Sequence, residues 1–273
     1  MSNFQNKTVL ITGASRGIGK AIGLKLAAAG ANIVIASKSV EENPKLGGTI
    51  FSAAAEMEAA GGNALPIQCD IRFEEQIAHV IEQTHQRFGG LDILINNASA
   101  ISLTPTEQTE PKRYDLMYDI NVRGTFMVSK ACIPLLKHST GAHILNLSPP
   151  ISMDMKWFAN HLAYTISKYN MTMIALGLAA ELKKYRIAAN TLWPRTTIAT
   201  AAVNNLLGGE ALMKMSRTPE IIADAAFHIL KRDPVHCTGN SFIDEQVLAE
   251  EGITDLSGYS VVPGGPLYND LFI

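Results

Sequence analysis

The sequence predicts an α/β fold built on a doubly wound, seven-stranded, mostly parallel sheet with helices on both faces. Three observations carry this expectation. Short apolar, β-branched runs alternate with longer stretches of helical spacing, the pattern of right-handed βαβ units. The runs are continuously apolar instead of alternating, so both faces of each strand are expected to be buried. A glycine-rich turn leaves the first run and opens the first helix, as a nucleotide-binding unit requires.

In chain order the strand-like runs are TVLITG (8–13), ANIVIAS (31–37), ALPIQCD (64–70), LDILINNA (91–98), AHILNLS (142–148), IAANTLWP (187–194) and SFIDEQVL (241–248). Helical spacing separates them; in the first gap it is carried by Ile18, Ile22 and Leu26. No repeat, low-complexity tract or linker divides the chain, so residues 1–273 are expected to form one dinucleotide-binding and catalytic domain. Two excursions break the regularity after strands two and six: KSVEENPKLGG (38–48) and residues 195–217. Open parallel sheets bind ligands beyond the carboxyl ends of their strands, so these excursions are candidate lids, with 195–217 expected over the substrate. The tail 249–273, with its VVPGGPLYND stretch, is either a further lid or a surface loop.

Bulk properties narrow the function classes. The 273 residues are 47% hydrophobic and 18% charged, enough apolar material for a large core. A net charge of −2 with scattered Lys and Arg argues against nucleic-acid and membrane-surface binding. Cys69, Cys132 and Cys237 match no metal-ligand spacing and read as reduced structural thiols, and no metal is expected. The start MSNFQNKTVLITG lacks a signal-peptide pattern and no apolar run reaches the ~18 residues of a membrane span, so the expected location is cytoplasmic.

In TGASRGIG (12–19), Gly13 permits a tight turn, Gly17 lets backbone approach a pyrophosphate, and Gly19 allows close packing of helix on strand. The helix N-terminus then offers unpaired N–H groups to phosphates. An NAD site commonly carries a carboxylate at the end of the second strand. Here that end reads IVIASKS, with Ser37 and Lys38, and Arg16 sits in the loop itself. Two cations without an anion favour NADP(H), although either cation also reads as a solvated surface residue.

YTISK (164–168) sets Tyr164 and Lys168 on one helix face, one turn apart. A phenol titrates near ~10, and a nearby ammonium favours its anion, which makes it usable as an acid/base group. By themselves these five residues also describe an ordinary pair of helix neighbours.

TGASRGIG, NNAS (96–99), Asn121 within INVRG, NLS (146–148) and YTISK occur in the order seen in short-chain dehydrogenases/reductases, which the chain resembles over residues 7–248. The resemblance implies a Rossmann fold, hydride transfer between a nicotinamide and a carbonyl or secondary alcohol, and a homodimer or homotetramer. It implies that Tyr164 is the general acid or base and that Lys168 lowers its pKa and bonds the nicotinamide ribose. It implies that Asn121 anchors a water in a relay to Lys168, where a helix-interior Asn bonded to backbone is the plainer alternative. Gly13, Ser15, Arg16, Gly17, Ile18 and Gly19 would hold the phosphates, Lys38 and Asp70 the adenosine end, Asn97 and Ala98 the ribose side, and Pro194 the carboxamide end. Asp70 would otherwise cap the next helix.

Two positions depart from the family pattern. The serine that polarises the carbonyl usually stands where this chain has Pro149, leaving Ser148 or Ser152 for the task. Arg195 replaces a usual glycine after Pro194, with an anionic substrate or phosphate as its conceivable partner. Met155, Trp157 and Phe158 suggest a hydrophobic or acyl-type substrate, or else packing. A catalytically idle NADP(H)-binding sensor is the alternative from another function class.

Overall fold

A computed structural model describes residues 4–44 and 46–273; Lys45 of the first excursion and the first three residues of the chain lie outside the described residues. Seven strands form one sheet in the order β3-β2-β1-β4-β5-β6-β7, every neighbouring pair parallel. They are β1 (Thr8–Thr12), β2 (Asn32–Ser37), β3 (Asn63–Gln68), β4 (Ile93–Asn96), β5 (Ala142–Leu147), β6 (Ile187–Trp193) and β7 (Ser241–Ile243). Pro66 lies in β3, where an edge strand tolerates the missing N–H.

Among the described residues ten α-helices connect or follow them: α1 (Gly17–Ala28), α2 (Ile50–Ala59), α3 (Glu74–Phe88), α4 (Pro111–Met117), α5 (Thr125–Leu136), α6 (Lys156–Ala159), α7 (Leu162–Leu182), α8 (Gly209–Lys214), α9 (Glu220–Leu230) and α10 (Asp244–Glu250). Side chains alternate across each strand, and the two faces collect different partners. Val9, Ile11, Ile33 and Ile35 pack with Ile22 and Leu26 of α1, Met57 of α2, Ile222 of α9 and Val247 of α10. Leu10 and Val34 point the other way, into a layer with Val80 of α3, Cys132 of α5 and Leu178 of α7. A third, smaller cluster at the carboxyl ends of the strands holds Tyr164, Tyr169, Trp193 and Phe272.

The last strand is shorter than its sequence suggests. SFIDEQVL divides into the three-residue β7 and the helix α10. Asp244 and Glu245 occupy the first helical turn, where carboxylates face the positive dipole end. Asp244 Oδ1 accepts the Glu245 N–H at 2.7 Å, which favours helix over strand at this point. The apolar run Val247–Leu248 then belongs to an amphipathic face instead of a pleat.

Strand order reverses between β1 and β4: their carboxyl ends diverge to loops that run in opposite directions along the sheet. Such a switch point leaves a crevice for a ligand.

Candidate active site

The turn after β1 is built by its glycines. Gly13 has φ +70, and a Cβ there would sit 3.0 Å from the Ala98 Cα; Gly17 has φ +57. Both conformations are left-handed and cost other residues strain. Gly19 answers to close approach instead: a Cβ would fall 2.4 Å from Asn97 Nδ2, the amide that ties the end of β4 to the turn. Asn97 Nδ2 donates to the carbonyls of Thr12 (2.9 Å) and Gly13 (3.1 Å), while Thr12 Oγ1 accepts the backbone N–H groups of Asn97 and Ala98, each at 3.0 Å. Ser15 Oγ meets Ser37 Oγ at 3.2 Å and fastens the turn to β2. No side chain caps α1 and no acidic residue occupies its first turn, so among the described residues its N–H groups are open to an anion.

The crevice at the switch point is a cavity of about 410 Å³. Gly13, Ser15, Arg16, Gly17 and Ile18 line one wall, Lys38 and Asp70 the far end, and Asn97 and Ala98 the other side. Arg16 reaches across it: Nη2 donates to Ser39 Oγ and, at 3.1 Å, to the carbonyl of Gly48, drawing the 38–48 excursion onto the loop. Its Nε is buried without a hydrogen-bond partner among the described residues. Asp70 receives Arg72 Nη2 at 2.6 Å and lies 3.9 Å from Lys38 Nζ. Burial pushes the Asp70 carboxyl up, but the Arg72 hydrogen bonds and the Lys38 charge outweigh it and hold the group below its ordinary value. Asp70 does not cap α3, whose N-cap is Phe73.

The surroundings of Tyr164 and Lys168 are differently made. Tyr164 and Lys168 share the first turns of α7 and are 5% and 2% exposed. Lys168 Nζ donates to the Leu147 carbonyl at 2.6 Å and lies 5.1 Å from the Trp193 ring centre. Burial pushes the Lys168 ammonium down to about 7, opposed by the Asp270 charge. Burial, then Asp270, pushes the Tyr164 phenol up. In this structure it is therefore burial, and not Lys168, that sets the direction of the Tyr164 shift, opposite to the sequence expectation.

Asn121 sits in a π-helical turn, Tyr118–Gly124, between α4 and α5. Such a widened turn re-aims one side chain inward, often at functional sites. The Asn121 amide closes a pair with Ala100, accepting its N–H at 2.8 Å and donating to its carbonyl at 2.9 Å. It also donates to Ser167 Oγ at 3.0 Å, and Ser167 donates to the Tyr164 carbonyl. Asn121 thus reaches the turn of α7 that carries Tyr164 and Lys168 through Ser167.

The hydrogen bonds of both serines run to other groups. Ser148 is fully buried and accepts from Thr172 Oγ1 at 2.9 Å, two turns along α7. Ser152 Oγ accepts the Asp154 N–H. Pro194 is buried at the end of β6; Arg195 is exposed, its N–H bonded to Asp244 Oδ1 at 2.8 Å. Of the apolar trio, Trp157 packs on Phe272 and Phe158 on Tyr169, while Met155 is 82% exposed.

Sequence reasoning missed the residues that pack with Tyr164: His161, Trp193 and Phe272. Motifs of short spacing hold no trace of a partner at the other end of the chain.

The short chain dehydrogenase pattern matches residues 7–210. The chain belongs to the short-chain dehydrogenase family. It is 58% identical to hydroxysteroid dehydrogenase-like protein 2 of Rattus norvegicus, over 97% of this chain and 50% of the relative. Identity to the protein of that name from Xenopus tropicalis is also 58%, over 97% of this chain and 63% of the relative. The chain thus spans half to under two thirds of the length of these relatives. Among solved structures, a short-chain dehydrogenase from Mycobacterium thermoresistibile is 52% identical, with a TM-score of 0.93 over 98% of this chain and 95% of its own. The family binds a nicotinamide cofactor, and family membership by itself leaves NAD and NADP open.

Proposed function

We propose that this short-chain dehydrogenase uses NADP(H) and transfers hydride between the nicotinamide and a carbonyl or secondary alcohol of a hydrophobic or acyl-type substrate. The observation that carries the cofactor choice is Arg16. Its guanidinium spans the crevice to Ser39 and Gly48, one N–H stays buried without a partner among the described residues, and no carboxylate ends β2. The glycine cradle and the open end of α1 fit a pyrophosphate, so the residues present fit the dinucleotide.

In this reading Gly13, Ser15, Gly17, Ile18 and Gly19 hold the pyrophosphate, and Arg16 and Lys38 hold the 2′-phosphate. Asp70 borders the adenine, Asn97 and Ala98 the ribose, and Pro194 the carboxamide. The bound nicotinamide supplies or accepts the hydride. Tyr164 gives its Oη proton to the carbonyl oxygen during reduction and takes it from the alcohol during oxidation. Lys168 stabilises the phenolate and steadies the ribose hydroxyls, and Asn121 orients this turn of α7 through Ser167 and a relay water. Ser148 or Ser152 polarises the carbonyl once substrate orders the loop. Residues 195–217, with α8, fold over the substrate as a lid.

Exposed Leu162, Met173 and Leu176 on α7 and Phe126 on α5 support a homodimer or homotetramer. The three cysteines are free and buried, which suits a reducing compartment, and we place the protein in the cytoplasm. No helix among the described residues is long and apolar enough to cross a membrane.

Titration of cofactor-free protein with NADPH and NADH, followed by nicotinamide fluorescence, tests the reading. NADPH should bind at least about tenfold tighter. Equal affinities would remove the selectivity, and no binding of either would remove the function. A second reading, an idle NADP(H) sensor, draws on Ser148 being bonded to Thr172 and on Tyr164 being covered. Turnover of any carbonyl substrate that depends on Tyr164 excludes it.

A further inference from the structure

A substrate carbonyl must come within hydrogen-bond reach of the Tyr164 hydroxyl to receive its proton. Tyr164 is buried, so something packed against it has to give way, and its neighbours differ in how firmly they are held. His161 stands at the N-cap of α7, its Nδ1 bonded to Thr165 Oγ1 at 2.9 Å. Tyr169 lies on α7 itself and donates from Oη to the Ser152 carbonyl at 3.0 Å. Trp193 closes β6. Phe272 instead stands in a turn beyond every helix and strand of the chain.

The segment that carries Phe272 is pinned up to residue 270. Thr197 N–H donates to the Tyr268 carbonyl at 2.9 Å and Asp270 N–H to the Arg195 carbonyl at 3.1 Å, around the antiparallel bridge between Thr196 and Asn269. Past Asp270 the tie to the sheet is a side-chain bond, from Trp193 Nε1–H to the Leu271 carbonyl at 2.8 Å. Phe272 adopts φ 73, a left-handed conformation uncommon for a residue with a side chain. Such strain persists only where the surroundings sustain it, and swinging the residue out would relieve it.

The place that the Phe272 ring fills is walled by rings. Ring centres lie 5.3 Å away at Tyr169, 5.6 Å at Trp157, 5.9 Å at Trp193 and 6.0 Å at His161, all tilted or edge-on to it. The Tyr164 ring lies 6.3 Å away at 30°. We propose that Phe272 stands in the substrate's own place: a carbonyl compound bearing a flat six-membered ring enters by turning Leu271–Phe272 out about Asp270, and its ring takes the box of Trp157, His161, Tyr169 and Trp193. The proposal rests on the reading of Tyr164 as the acid/base group and narrows the hydrophobic substrate class to ring-bearing carbonyls. Tilted aromatic walls favour the face and edge of a ring, and a linear chain offers neither. A substrate ring in that box lies against Tyr164 as Phe272 does now, which brings a carbonyl attached to the ring beside the phenol.

The test compares acetophenone with octan-2-one, two ketones of the same carbon number, on the 273-residue protein labelled with 4-fluorophenylalanine. The Phe272 fluorine signal is assigned by its loss in Phe272→Leu. Acetophenone should move that signal to the position of a solvent-exposed ring, and octan-2-one should need a concentration at least about tenfold higher to do so. Phe272→Ala should bind acetophenone about tenfold tighter, because a plug closed about nine times in ten weakens the apparent affinity by that factor. If Phe272→Ala does not fold, Phe272→Leu supplies the smaller side chain and should also tighten binding. Weaker acetophenone binding in the smaller variant would make Phe272 a fixed wall and overturn the proposal. Bound acetophenone beside an unmoved Phe272 signal, an equal response to the two ketones, or no binding of acetophenone also overturns it. Turnover separates this proposal from the acid/base reading. Reduction that survives Tyr164→Phe, with a ketone that displaces Phe272, sinks that reading alone, while Tyr164-dependent reduction beside an unmoved Phe272 signal sinks this proposal alone.

Discussion

Two carboxylates near the ends of the cavity and the catalytic cluster show how differently the halves of this site are made. Asp70 stands in the open crevice, clasped by Arg72 with Lys38 near, and its carboxyl is held below the ordinary value. Asp270 stands two residues before Phe272, and burial pushes its carboxyl up to about 7 against the Lys168 charge. In one, hydrogen bonds and cations outweigh burial and keep a carboxylate charged; in the other, burial outweighs the opposing charge. The difference teaches that ion pairing sets the charge state in the crevice, whereas enclosure sets it around Tyr164.

The comparison breaks most visibly at Tyr164. Tyr164→Phe should cut kcat by about a thousandfold, within the range for loss of a general acid/base, and leave the NADPH dissociation constant unchanged. A tenfold loss or less would mean that another group handles the proton. Next in size is the enclosure itself. Phe272→Ala should cost about 3 kcal/mol in urea denaturation, as truncating buried aromatics does, and a cost under about 1 kcal/mol would mean that the cover is loosely held.

A third prediction turns on sign. Asp244, fully buried at the start of α10, has a carboxyl that burial pushes up to about 6. The folded protein holds that proton more tightly than the unfolded chain, so stability falls as pH rises from the ordinary carboxylate value through about 6. The stability of the natural chain relative to Asp244→Asn should therefore decline by about 2 kcal/mol across that window. Thermal melts between pH 4 and pH 7 read it; a flat difference refutes it. Asp70→Asn should show the opposite slope and a smaller size. Its depressed carboxyl contributes stability above the unfolded pKa and loses it as pH falls. On the open side, Arg16→Ala should weaken NADPH about tenfold, some 1.4 kcal/mol, and leave NADH within twofold, which direct titration measures.

The same contrast explains what could be read from the chain. The glycine turn and the ends of β1, β2 and β4 were legible because their residue types declare themselves where each strand ends. Gly13 and Gly17 declare their φ values by being glycine, and Asn97 needs only the neighbouring strand end. The YTISK spacing likewise placed Tyr164 and Lys168 on one helix. Their surroundings were not legible, because Asp270 and Phe272 arrive from the far end of the chain, along a path that no local periodicity encodes. The final strand was overextended for a related reason: an apolar stretch preceded by Asp244 and Glu245 satisfies both strand and helix patterns, and the carboxylates at a helix start decide. Ser148 shows the limit from another direction. Its position after β5 suited a substrate contact, yet Thr172 on α7 takes its hydroxyl.

The order of the strands has a last consequence, for life among other chains. A parallel sheet leaves two exposed borders, and here each is a poor template for a neighbour. One border is β3, where Pro66 removes a donor from the outer row; the other is β7, only three residues long. Strand-by-strand accretion needs a long edge with an unbroken row of unpaired N–H and C=O groups. This fold therefore carries its own resistance to fibrillar association, and Pro66→Val, which restores an N–H to β3, is the change that should raise thioflavin-positive aggregation on prolonged warming.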